Sequence, residues 1–231
     1  MVRAFFPTLF CGAALDPHEL RELQGLATQI YFRSGKTIFS EGEMAENVFG
    51  LSQGVVRLYK LLPDGRRHVL AFLLPGDLLG MPLADRHNFS ADAIGEVALC
   101  RFQRDDLKRF IQSSPAFMRL MIDFATRELD MAQDQLLLLG NGSAEEKVAN
   151  FLVSWRDRLA RISASSETET VPLPMRRQDI ADFLGLKLET ISRTLAKLAQ
   201  KNVIRLIPKG VFLTGLAQTH LVTGRSHQPH L

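Results

Sequence analysis

From Ile30 to Arg104 short apolar runs alternate with polar positions, and turn-forming residues separate the runs: Gly35, Glu41-Gly42, Gln53-Gly54, Pro63-Asp64-Gly65 and Pro75-Gly76-Asp77. A period of two sends neighbouring side chains to opposite faces, so this stretch predicts many short β-strands closed into a roll or barrel. Val55, Leu58 and Tyr59 fall in one run and Val69, Ala71, Phe72, Leu73 and Leu74 in the next, and the Pro-Asp-Gly between them predicts a hairpin. Ahead of the roll, Asp16-Pro17 followed by residues 18–26 predicts a short helix with an acidic N-cap and proline in its first turn. Behind the roll, residues 104–112 predict a second short helix.

Past Pro115 the period changes. Ala116 through Leu139 contains neither glycine nor proline and predicts one long helix of about 36 Å, at about 1.5 Å per residue. Phe117, Met121, Phe124, Glu128, Met131, Gln135 and Leu138 recur at alternating four- and three-residue steps, the period of a coiled-coil seam. They are the expected dimer interface. Packing of the same face on the chain's own roll would explain part of the pattern. Gly140-Asn141-Gly142 then stops the helix, and Ser143 with Glu146 predicts a capping box for the next one, whose Val148, Phe151, Leu152 and Trp155 share a face. A Ser/Glu/Thr-rich loop follows over residues 163–170.

Residues 174–200, PMRRQDIADFLGLKLETISRTLAKLAQ, predict a short helix, a turn at Gly185 and a second, amphipathic helix, the helix-turn-helix order. Leu188, Ile191, Leu195 and Leu198 are expected on its inner face, and Glu189, Ser192, Arg193 and Ala196 opposite. An arginine can bind guanine O6 and N7 together and a glutamate can accept from cytosine N4, so a Glu and an Arg one turn apart suit a major groove. A solvated face carrying an i,i+4 Glu–Arg pair is the alternative that spacing alone leaves open. Residues 202–214, around Lys209-Gly210, predict a two-stranded wing.

Composition narrows the class without naming it. Apolar residues make up 46% of the 231 and charged ones 23%, as in ordinary globular proteins, and the net charge of +3 permits a nucleic-acid partner without requiring one. Apolar runs are too short for a membrane span of about 20 residues, and Pro7 and Asp16 break up the N-terminal run, so a cytoplasmic chain with no membrane partner is expected. The two cysteines, Cys11 and Cys100, lie far apart and outside any CxxC; Cys100 reads as a small buried hydrophobe and Cys11 as the better site for a redox-active thiol. The six histidines show no metal spacing, and no nucleophile-elbow, zinc-protease or phosphate-loop motif occurs. No catalytic residue, metal or cofactor is expected.

Leu184-Gly185-Leu186 followed by Glu189-Thr190-Ile191-Ser192-Arg193 resembles the recognition unit of the CRP/FNR transcription regulators. The resemblance covers nearly the whole chain. Gly35-Lys36-Thr37-Ile38-Phe39, Gly42-Glu43 and Pro75-Gly76-Asp77 are similar to the family's roll motifs, and Glu145 to Ala149 with Phe151-Leu152 to the opening of its DNA-binding domain. It implies an α+β chain: an N-terminal arm and cyclic-nucleotide-binding-like β-roll (jelly roll) over 1–114, a dimerisation helix over 115–140, a winged helix-turn-helix over 141–220 and a flexible tail over 221–231. It also implies a homodimeric activator working with RNA polymerase on a TTGAT...ATCAA-type palindrome, with Glu189, Ser192 and Arg193 on the bases. The FixK branch is the most similar, since the four cysteine ligands of an iron–sulfur cluster are missing.

The chain departs from the family in two places. Arg176 and Lys187 stand where its helices often begin with Ser or Thr; neither can accept an N–H, a loss of about 1 kcal/mol, but each can neutralise a phosphate. With Arg177, Gln178 and Lys209 they form the expected phosphate set. Where the family's nucleotide binders carry Gly-Glu and later Arg-Ser or Arg-Thr, this chain has Gly80-Met81 and Phe89-Ser90, with Arg86 off the motif. A vestigial or altered effector pocket is expected, and a receptor for some other small ligand is the alternative function.

Overall fold

The computed structural model describes residues 15–80, 85–140, 142–162 and 169–214, apart from the side chains at 134 and 137–139. The chain divides into two units, Met1–Gln133 and Asp134–Leu231.

The first unit begins with α1 (Pro17–Leu26). Asp16 caps it, its carboxylate accepting the His18 and Glu19 N–H groups at 2.7 and 2.8 Å while Glu19 accepts the Asp16 N–H at 3.0 Å. Among the described residues six strands follow: β1 (Ala27–Phe32), β2 (Thr37–Phe39), β3 (Asn47–Leu61), β4 (Arg67–Leu73), β5 (Leu78–Leu79) and β6 (Ser90–Gln103). They pair antiparallel in the order β1-β6-β3-β4, with β2 on β6 and β5 on β3. Helix α2 (Arg104–Ser113) leads into α3 (Pro115–Gly140).

Strand alternation builds two cores. Phe49 and Leu99 join an interior cluster with Phe39, Leu51, Val56, Leu58 and Leu73. Their chain neighbours Val48 and Cys100 point the other way, into a cluster with Leu23, Phe102, Leu107, Phe110 and Phe117. The roll is therefore built as the alternation predicts, but not from short strands throughout. β3 has 15 residues and β6 14. The Gln53-Gly54 expected as a turn lies inside β3, where the pairing with β6 shifts register. Gly54 adopts φ +90°, and a Cβ there would sit 2.3 Å from the Glu96 carbonyl oxygen, so glycine here makes a bulge that lets two long strands pass closely.

The second unit contains α4 (Ala144–Ile162), β7 (Thr170–Pro172), α5 (Arg177–Leu184), α6 (Leu188–Gln200), β8 (Ile204–Ile207) and β9 (Gly210–Leu213). The capping box forms: the Ser143 N–H donates to Glu146 Oε2 at 2.6 Å and Ser143 Oγ accepts the Glu146 N–H at 3.3 Å. Val148, Phe151, Leu152 and Trp155 are buried on one stripe of α4, and Trp155 Nε1 donates to the Pro172 carbonyl at 2.8 Å. The expected two-stranded wing is a three-stranded sheet, β7-β9-β8. β7 was hidden in the sequence by its three-residue length and by Pro172, which an edge strand tolerates because one side of its backbone has no partner strand. The expected tail over 221–231 and Cys11 lie outside the described residues.

Candidate nucleic-acid interface

α5 ends on Gly185, whose φ of +64° is left-handed, and the Leu186 N–H closes the turn onto the Ala181 carbonyl at 3.0 Å. Ile180, Ala181 and Leu184 of α5 and Ile191, Leu195 and Leu198 of α6 are buried. Two helices locked by those residues leave the opposite side of α6 outermost. Glu189, Arg193 and Ala196 are exposed there and Ser192 half-exposed, as the helical period requires. Among the described residues neither Glu189 nor Arg193 is held in an ion pair. Leu188 corrects the sequence reading: expected on the inner face, it is 38% exposed beside Glu189. It opens α6, where no preceding helical turn covers it.

No side chain caps α5 or α6. At α5 the Asp179 carboxylate accepts the Arg176 N–H at 2.9 Å, half of a capping box. At α6 the Lys187 carbonyl accepts the Ile191 N–H at 3.1 Å while its ammonium group stays exposed. Arg176, Arg177 and Gln178 are exposed too, although the Gln178 amide donates to Asp182 at 2.6 Å. Lys209 occupies the tip of the β8–β9 hairpin in the left-handed region, φ +57°, and is exposed. The two uncapped helix starts, each beside a cation, present the arrangement that attracts anions.

α3 does not use its faces as the seam expected. Phe117 is only 2% exposed, its ring 5.0 Å from Phe110, and Met121 packs on the same cluster, so the first two positions of that stripe belong to the chain's own roll. Phe124, Glu128 and Gln135 are half-buried, Met131 is exposed, and the side chain of Leu138 is not described. One residue further round, Met118, Ile122, Ala125, Leu129, Ala132 and Leu136 are all exposed, again at four- and three-residue steps; Ile122 is 59% and Leu129 58% exposed. All six are apolar, against five of seven in the expected seam. That difference was the available signal.

Aromatic rings pack on one another around β2 of the roll. Phe39 packs against Phe89 at 6.0 Å and against His87 at 3.7 Å between ring centres. Burial pushes the His87 imidazole below its ordinary pKa. Arg86 donates to the Gly42 carbonyl at 2.7 Å. Cys100 is buried, and burial pushes its thiol up to about 11, which disfavours the reactive thiolate. Among the described residues no group of three or more His, Cys, Asp and Glu is placed to hold a metal ion, and no helix is long and apolar enough to cross a membrane.

A roll, a long helix with an exposed heptad stripe and a winged helix-turn-helix with outward Glu and Arg define a DNA-binding transcription regulator. The comparisons agree. Residues 29–114 match the cyclic nucleotide-binding domain and residues 146–218 the Crp-like helix-turn-helix domain. The chain is 54% identical to the transcriptional activatory protein AadR of Rhodopseudomonas palustris, over 87% of this chain and 83% of that one. It is 51% identical to the nitrogen fixation regulation protein FixK of Bradyrhizobium diazoefficiens, over 87% and 84%. The solved structure of FixK2 from Bradyrhizobium japonicum superposes with a TM-score of 0.78 at 33% identity, covering 88% of this chain and 99% of that one. The chain belongs to the CRP/FNR family, in its FixK-like branch, and is not an enzyme. Regulators of this family bind DNA as dimers.

Proposed function

We propose that this chain is a homodimeric, cytoplasmic transcription activator that reads a TTGAT...ATCAA-type palindrome and acts with RNA polymerase. The observation that carries the reading is the pair Glu189 and Arg193, exposed one turn apart on the side of α6 opposite Ile191, Leu195 and Leu198. With α6 in the major groove, Arg193 takes guanine O6 and N7, Glu189 accepts from cytosine N4, and Ser192 contacts an adjacent base edge. Leu188, exposed at the start of α6, adds an apolar surface for a thymine methyl group. Arg176, Arg177, Lys187 and Lys209 meet phosphates, with Gln178 in a minor part because its amide is engaged on Asp182. Activation follows from relatives that carry that description by name.

The second copy docks along Met118, Ile122, Ala125, Leu129, Ala132 and Leu136, with Ile122, Leu129 and Leu136 alternating with Ala125 and Ala132 so that two helices approach closely. Twofold symmetry then presents two α6 helices about one helical turn apart, 10–10.5 bp. A receptor whose roll binds an effector is disfavoured by the packing of Phe39, His87 and Phe89.

The test is selection of duplexes from random DNA by the purified protein. A palindrome with G·C pairs at the positions facing Glu189 and Arg193 is expected, and their joint replacement by alanine should abolish the preference. Unchanged operator discrimination in that double variant would overturn the reading.

A further inference from the structure

Glu189, Arg193, Lys197 and Lys201 are spaced by four and form one ridge along α6 and its C-cap, turning by about 40° at each step. The first two face outward. The last two reach back to one carboxylate, Glu145, in the first turn of α4: Lys197 Nζ lies 2.7 Å from Oε2 and Lys201 Nζ donates to Oε1. Glu145 and Lys201 line a cavity of about 290 Å³ together with Ser143, Glu146, Ala149, Leu198 and Val203. Glu145 is well placed to stay ionised, because the start of a helix favours a carboxylate. The Lys197 and Lys201 ammonium groups, as hydrogen-bond donors, hold its carboxyl below the usual carboxylate range.

We propose that Glu145 sets the selectivity of DNA binding by holding Lys197 and Lys201 away from phosphates, so that the ridge ends in a paired cluster rather than two open cations. This rests on the DNA-binding reading of α6 and extends it to a residue outside the helix-turn-helix. Cations on a reading helix strengthen binding to every sequence alike, since each phosphate contact adds affinity without information. An open Lys197 and Lys201 would raise binding to random DNA and narrow the margin between operator and genome. Glu145 acts through the two lysines and is a positioning residue.

The test measures full-length protein on a scrambled duplex across a salt series, with operator preference measured separately so that failure of the base-reading assignment shows there and not in the slope. Glu145→Gln is expected to steepen the log–log salt slope by about one to two units, at roughly 0.9 per phosphate. Glu169→Gln, which removes the same charge elsewhere on the unit, is expected to leave it unchanged. A triple variant, Glu145→Gln with Lys197→Gln and Lys201→Gln, should return the slope to the wild-type value. An equal slope in Glu145→Gln and Glu169→Gln overturns the proposal. Should Glu145→Gln fail to fold, the pair Lys197→Gln and Lys201→Gln in the wild-type background decides: an unchanged slope supports the proposal, and a slope flattened by about two units shows the lysines already on phosphates and sinks it.

Discussion

The roll turns several charged and aromatic groups on one another, whereas the winged unit holds a set of charged groups toward the outside. In the roll Arg57 Nε donates to Asp92 at 2.9 Å, the pair is nearly buried, and both Arg57 and Arg67 lie within 6 Å of the Tyr59 ring centre. Phe39, His87 and Phe89 fill the space between strands. On α6 and at the starts of both reading helices, Arg176, Arg177, Lys187, Glu189 and Arg193 are exposed. Polar groups paired inside a low-dielectric body stabilise one structure; polar groups held out by a rigid body are available to a partner. The two units share a chain but place the same residue types under different physical demands.

That contrast can be broken at several points, the largest first. Charge on the exposed stripe of α3, Ile122→Asp with Leu129→Asp, should leave a monomer by sedimentation and lose operator binding altogether; a dimer would show that the second copy docks elsewhere. In the roll, Arg57→Ala leaves Asp92 buried without its partner and should lower stability by about 3–5 kcal/mol in a denaturant melt. Arg193→Ala should cost about 1–3 kcal/mol of operator discrimination while moving the melt little, because the side chain is exposed. Lys187→Thr should do both in opposite senses: a new cap adds about 1 kcal/mol of stability, and the log–log salt slope flattens by about one unit. The smallest effect is at Cys100. With its thiol pushed up to about 11, the deprotonated form is scarce at pH 8, so alkylation of the folded protein should proceed only as fast as the roll opens.

What could be read in advance depended on whether local rules were sufficient. Ser143 with Glu146, Asp16 with Pro17, and Gly185 between two helices act through hydrogen bonds and dihedral angles a few residues long, and each stands where the spacing put it. Glu189, Ser192 and Arg193 were legible because the buried Ile191, Leu195 and Leu198 fix the outward direction. The two stripes of α3 differ locally only in that one is wholly apolar and the other is not. Both repeat at four and three residues, and only the roll packed against Phe117 and Met121 decides which stripe is spent internally. Leu188 failed for a related reason, since apolar character gives no direction at the first turn of a helix. β7 and the bulge at Gly54 depend on partners far along the chain, Val211 and Glu96, which no local pattern announces.

Gly54 has one more consequence. Where its α-hydrogen passes the Glu96 carbonyl there is no room for even a methyl group. A library of random substitutions screened for gene activation would therefore find position 54 as intolerant as position 193. A tolerance map would rank the two alike, although one answers to a nucleotide and the other only to a neighbouring strand. Thermal melting sorts them: intolerance at 54 travels with loss of the folded roll, and intolerance at 193 does not.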